Sequence, residues 1–83
     1  MIRPRIHTVS GSTPDGTLIT IEAGPNQQGR VVVTANGAEV MVGTTFLHET
    51  TPHFWPGPTG GLAFSPTTLR LLADLIEQAH QEN

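Results

Sequence analysis

Apolar and polar residues alternate with a period of two through the first half of the chain, then recur at steps of three and four near its end. That change of period divides the sequence into a β part and a helix. From Ile2 to Val9, Ile2, Pro4, Ile6 and Thr8 fall on one side and Arg3, Arg5, His7 and Val9 on the other, which predicts a half-buried strand. Pro4 has no N–H for a ladder and marks that strand as an edge. Ser10 to Gly16 is dense in turn residues, and Pro14-Asp15-Gly16 reverses the chain. Thr17 to Ala23 is a second alternating strand. A register with Arg5 opposite Glu22 sets Ile19, Ile21 and Ala23 on one face with Ile6. Gly24 to Gly29 reads as a surface connection.

Arg30 to Ala35 and Ala38 to Gly43 flank Asn36-Gly37, the dipeptide that suits a two-residue type I′ turn because both positions need positive φ. The turn fixes the register, with Ala35 facing Ala38, Val33 facing Val40 and Val31 facing Val42. Those valines form one side of the ribbon and Arg30, Val32, Thr34, Glu39 and Met41 the other. The valine side is assigned to the core, at an upper value of about 1.5 to 3 kcal/mol for each side chain buried. Thr44 to Leu47 prolong the strand. Thr50 to Gly61 contains Pro52, Pro56, Pro58, Gly57, Gly60 and Gly61 and is expected to be irregular, with Phe54 and Trp55 holding it in order. Ser65 then caps a helix that Pro66 opens, and Leu69, Leu72, Ala73, Ile76 and Ala79 make its apolar stripe as far as Glu82. Phe64 packs just ahead of the cap.

These elements predict one α+β domain over residues 1–83: an antiparallel β-meander of about four strands with one C-terminal α-helix packed on one face. A single helix covers one side only, so Val32, Met41, Val9 and Leu18 are left on the other among polar residues.

Composition narrows the chemistry. A domain of 83 residues buries about 60 to 65 per cent of its unfolded surface, and no cysteine is present to staple it, supply a thiol nucleophile or hold zinc. Self-association is one remedy for a small core. The net charge of −3 excludes general binding to nucleic-acid backbones. Lysine is absent and all 4 basic residues are arginine, a coding bias that points to a high-GC genome such as that of an actinobacterium or its phage. The start lacks an apolar segment behind its arginines and no run is long enough to span a membrane, so a cytoplasmic protein is expected.

Candidate sites follow from what remains. His48-Glu49 and His53 are spaced five apart with a proline before the second histidine, unlike the four-residue helical spacing of zinc proteases. A loop could gather His48, Glu49 and His53 on a metal, and loop histidines facing water are the plainer reading. Trp55, beside Phe54 in a rigid segment, first reads as a plug for the open end of the sandwich and second as a partner contact. Gly57 to Gly61 lacks the lysine of a phosphate loop. Arg3 and Arg5 share one side of the first strand and could hold an anion. No paired carboxylates, nucleophile elbow or cofactor motif is found, and no cofactor is expected. The expectation is a non-catalytic protein-binding or adaptor module that self-associates, acting through the Leu47 to Gly61 loop and the exposed sheet face. The alternative is a nucleotide- or anion-binding protein with a site between subunits, using Arg3, Arg5, the histidines and Trp55. A metal-assisted hydrolase built on His48 and His53 is the third reading.

Overall fold

Asn36 and Gly37 take φ of 53° and 77°, the positive values a type I′ turn demands, and the hairpin they close is the centre of the sheet. The computed structural model describes residues 7–23, 28–58 and 62–81. In chain order it contains β1 (His7–Ser12), β2 (Leu18–Ala23), β3 (Gly29–Ala35), β4 (Ala38–His48), β5 (Thr51–Pro56) and α1 (Pro66–Ala79). The strands form one antiparallel sheet in the order β1-β2-β3-β4-β5, an α+β meander with the helix on one face. Five strands stand where about four were expected, because Thr51–Pro56, read as irregular, pairs with β4.

The tolerance of that strand for proline has a backbone cause. Gly57 N–H donates to the Val42 carbonyl at 2.8 Å, and hydrogen-bonded pairs alternate along an antiparallel ladder. Thr51, His53 and Trp55 therefore bond to β4, while Pro52, Phe54 and Pro56 turn their backbones outward. Two of those three outward positions have no N–H to expose, so proline costs the ladder nothing and shields the edge from further strands. The β4–β5 turn is also a two-residue one, with Glu49 and Thr50 at φ of 50° and 68°.

Three register expectations are corrected. Glu22 pairs with Thr8, not with Arg5, which lies outside the described residues together with Ile6, Pro4 and Arg3. Val9 pairs with Ile21 and packs against the core instead of lying on the uncovered face. Ala35, Val33 and Val32 meet Ala38, Val40 and Met41 as the turn requires, but the register shifts between Val31 and Val32 and Val31 faces Gly43. Val42 is the extra residue of a β-bulge, and it is buried all the same.

The core is Ile19, Ile21 and Ala23 of β2, Val31 and Val33 of β3 and Val42 of β4, under Leu72, Leu75, Ile76 and Ala79 of α1. Ser65 caps the helix by accepting from Thr68 N–H at 3.2 Å, and Pro66 is its first residue. Phe64 and Leu62 pack against the core from just ahead of the cap. The buried helix face is Thr68, Leu72, Leu75, Ile76 and Ala79, rotated from the expected stripe: Ala73 and Leu69 are exposed. Both edge strands, β1 and β5, come against α1, so the sheet curls around the helix. The inner face also holds a buried polar pair, His80 Nε2 at 2.7 Å from Thr45 Oγ1. Among the described residues no helix is long and apolar enough to cross a membrane.

The β1–β2 connection is tied by Asp15. Thr13 N–H donates to the Thr17 carbonyl at 2.9 Å, Gly16 N–H to the Thr13 carbonyl at 3.0 Å, and the Thr13 hydroxyl and Thr17 N–H both donate to the Asp15 carboxylate. Those donors, the Thr13 hydroxyl first, hold the Asp15 carboxyl below its ordinary range. Because its folded value is lowered, the tie is complete above the ordinary aspartate value of about 3.9 and is lost as pH falls through the folded value. Thr13→Val is expected to move Asp15 back up toward that ordinary value. A carboxyl-carbon NMR titration reads the change, and an unmoved midpoint would remove the Thr13 hydroxyl as its cause.

Candidate functional site

Strand alternation sends every second side chain away from the helix. On β3 and β4 those are Arg30, Val32 and Thr34, then Glu39, Met41, Thr44, Phe46 and His48. On β5 they are Thr51, His53 and Trp55, whose cross-strand partners are His48, Phe46 and Thr44. β1 and β2 add Thr8, Ser10 and Ser12 beside Glu22, Thr20 and Leu18. The face is therefore hydroxyl-rich on the β1–β2 side and aromatic on the β4–β5 side.

The aromatic part is ordered by the β4–β5 turn. Phe46 and His53 stack with ring centroids 5.4 Å apart and planes 12° from parallel, an offset-stacked pair of the kind worth about 0.5–1.5 kcal/mol beyond its buried area. Trp55 lies 6.3 Å from Phe46 and tilted by 59°. His48 meets His53 edge-on at 5.8 Å. His53 Nδ1 donates to the Thr51 carbonyl at 2.9 Å, because a carbonyl can only accept, and in the neutral ring this leaves Nε2 as the acceptor. Trp55 is 66% exposed. The expectation that its indole plugs the core is thus corrected: Phe54, one residue earlier and of opposite parity, is the ring that packs inward.

Arg30 sits at the middle of this face. Glu22 is its cross-strand partner on β2, yet the guanidinium turns the other way, with Nη2 4.0 Å from Met41 Sδ on β4. Among the described residues it makes no ion pair. Met41 is 46% exposed and Leu18 39%, and Val32 between them is half-buried.

The other candidate residues are not gathered. His48 and His53 are brought together, but Glu49 occupies the turn, and among the described residues no set of three histidine or carboxylate side chains could hold a metal ion. Arg3 and Arg5 lie outside the described residues, as do residues 59–61 of the glycine-rich stretch. A shallow groove of about 370 Å³ runs between β5 and α1, lined by Thr51, Pro52, Phe54, Ala73, Ile76 and Glu77. Sequence reasoning assigned Val32 and Met41 to the uncovered face and missed Phe46. Its parity is that of Val40 and Val42, which places it inward until the bulge at Val42 reverses the alternation, so the sequence carried no signal for it. No protein-family model, curated protein or solved structure matches the chain.

Proposed function

We propose that the chain is a small non-catalytic protein-binding module whose working surface is the uncovered sheet face, with Trp55 as its anchor. The observation that carries this reading is an indole two-thirds exposed on the outer face of the sheet, backed by a stacked Phe46–His53 pair. Tryptophan, arginine and methionine are the residues enriched in interface cores, and ring side chains fixed on a strand lose little entropy when they bind. The buried polar side chains give the reading indirect support, because each has a structural use. Thr13 bonds to Asp15, Thr45 to His80 and Thr68 to Ser65.

Trp55→Ala is expected to weaken partner binding by about 2 kcal/mol, roughly 30-fold in Kd, as a hot-spot residue does. Its stability should stay within about 0.5 kcal/mol of the parent, because the side chain faces water. The check is quantitative capture from a cell extract with immobilised parent and variant chains, alongside thermal melts. A partner held with equal affinity by both chains would overturn the reading.

A further inference from the structure

We infer that the occupant of the centre of this face is a second copy of the chain, packed sheet to sheet about a two-fold axis that crosses the strands at the Val32–Met41 pair. The inference rests on the binding-face reading above and assigns its partner. The reason is where Arg30 and Glu39 stand, two charges that make no ion pair among the described residues. Val32 and Met41 are cross-strand partners; Arg30 lies two residues before Val32 on β3, and Glu39 faces Thr34, two residues after Val32. Arg30 and Glu39 therefore occupy the rows on either side of Val32–Met41, on adjacent strands and on the same face.

A two-fold axis lying in the interface along the Val32–Met41 row exchanges those rows. Met41 then meets the partner's Met41. Each Arg30 comes over the row of the partner's Glu39, displaced sideways by one strand spacing of about 4.8 Å, a distance both long side chains span. One axis thus satisfies both charges twice. The position of the guanidinium agrees with this, since it lies against Met41 Sδ at 4.0 Å, leaning toward the axis and away from Glu22.

Size and topology point the same way. Five strands about 4.8 Å apart and six residues long at about 3.3 Å each give a footprint of at most roughly 480 Å² per copy on the curled sheet, or about 950 Å² for the pair, the size of a weak, concentration-dependent contact. Pro52 and Pro56 face outward on β5 and obstruct edge-to-edge association there. Trp55 shares the row of Arg30 through Thr44 and so lies within this footprint, two strands from Arg30, while the Phe46–His53 stack lies one row further from the axis.

Sedimentation equilibrium of the full chain, from micromolar to millimolar concentration, tests the assignment. A monomer–dimer equilibrium is expected. Arg30→Glu and Glu39→Arg should each raise the dimer Kd by about tenfold or more, and the double exchange should restore it to within about threefold of the parent, as a directly paired charge requires. Arg30→Gln, which places no new charge beside Glu22, should act in the same direction as Arg30→Glu. Arg30 and Glu39 are both exposed, and circular dichroism confirms that each variant is folded. A strict monomer at every concentration, or a dimer that the double exchange fails to restore, would overturn the assignment. If Trp55-dependent capture of another protein persisted in that case, the binding face would stand with a different occupant.

Discussion

Gly43→Ala is expected to lower the free energy of unfolding by about 3 kcal/mol, at the upper end of what overpacking costs. A Cβ at Gly43 would lie 2.5 Å from the Trp55 carbonyl oxygen and 2.6 and 2.8 Å from Cε1 and Cζ of Phe54. A flexible side chain could swing away from such a methyl, but a ladder carbonyl cannot unless β4 and β5 part. Phe54 is itself pinned, because it is the ring through which β5 reaches the core. For a domain of this length, total stability is of order 4 to 12 kcal/mol at about 0.05–0.15 kcal/mol per residue, so the loss is a large share of the whole. Gly57→Ala provides the comparison within the same strand pair. Its Cβ would meet nothing closer than 3.7 Å, an ordinary contact, and it should cost less than about 0.5 kcal/mol. Urea unfolding of the two variants decides the matter. If Gly43→Ala proved as mild as Gly57→Ala, the close approach of β5 to the bulge in β4 would be wrong.

That approach also explains which parts of the fold could be read from the residues alone. The β3–β4 hairpin was legible because Asn-Gly is the pair whose backbone preferences coincide with positive φ at both turn positions. The helix start was legible because a serine cap and a proline in the first turn each have one good place to sit. The β4–β5 turn uses the same geometry with Glu49 and Thr50, residues that do not favour φ of 50° and 68°; nothing local announces it, and tertiary pairing imposes it. With the turn hidden, Pro52 and Pro56 looked like breakers, although their parity keeps them off the ladder. Trp55 was misplaced for the same reason. The two-residue turn joining His48 to Thr51, together with the bulge at Val42, sends Phe54 inward and Trp55 out.

The helix rotation has a different origin. Leu69, Leu71, Leu72, Ala73, Leu75 and Ile76 supply apolar side chains around much of the circumference, so two stripes compete, and the wider Leu72–Leu75–Ile76 surface is the one the curled sheet accepts. The uncovered face was legible in outline, through Val32 and Met41 opposite the valines. Its aromatic half depends on the bulge at Val42, which no residue type signals; the placing of Arg30 and Glu39 on the side of Val32 and Met41 follows from the Asn36-Gly37 turn.

The curl of the sheet makes the second large prediction, at Gly29. This residue pairs with Thr45 on the inner face, where a Cβ would collide with Thr45 Oγ1 and lie 3.1 Å from Ala23 Cβ and 3.2 Å from the Glu22 carbonyl. Thr45 Oγ1 cannot yield freely, because it is fully buried and bonded to His80 Nε2 at 2.7 Å, the contact that ties the C-cap of α1 to β4. Gly29→Ala should therefore cost about 3 kcal/mol, combining an overpacked core with a strained buried hydrogen bond. Thr45→Ala alone removes that bond and should cost about 1–3 kcal/mol. In the double variant the atom struck by the new methyl is gone, so the two penalties should fall short of their sum by about 1 kcal/mol or more, while the contacts to Ala23 and Glu22 keep the protein below the parent. Chemical denaturation of the four chains gives the coupling directly. Penalties that simply add would mean that Gly29 and Thr45 do not share this space, and that some other contact holds the end of the helix against the sheet.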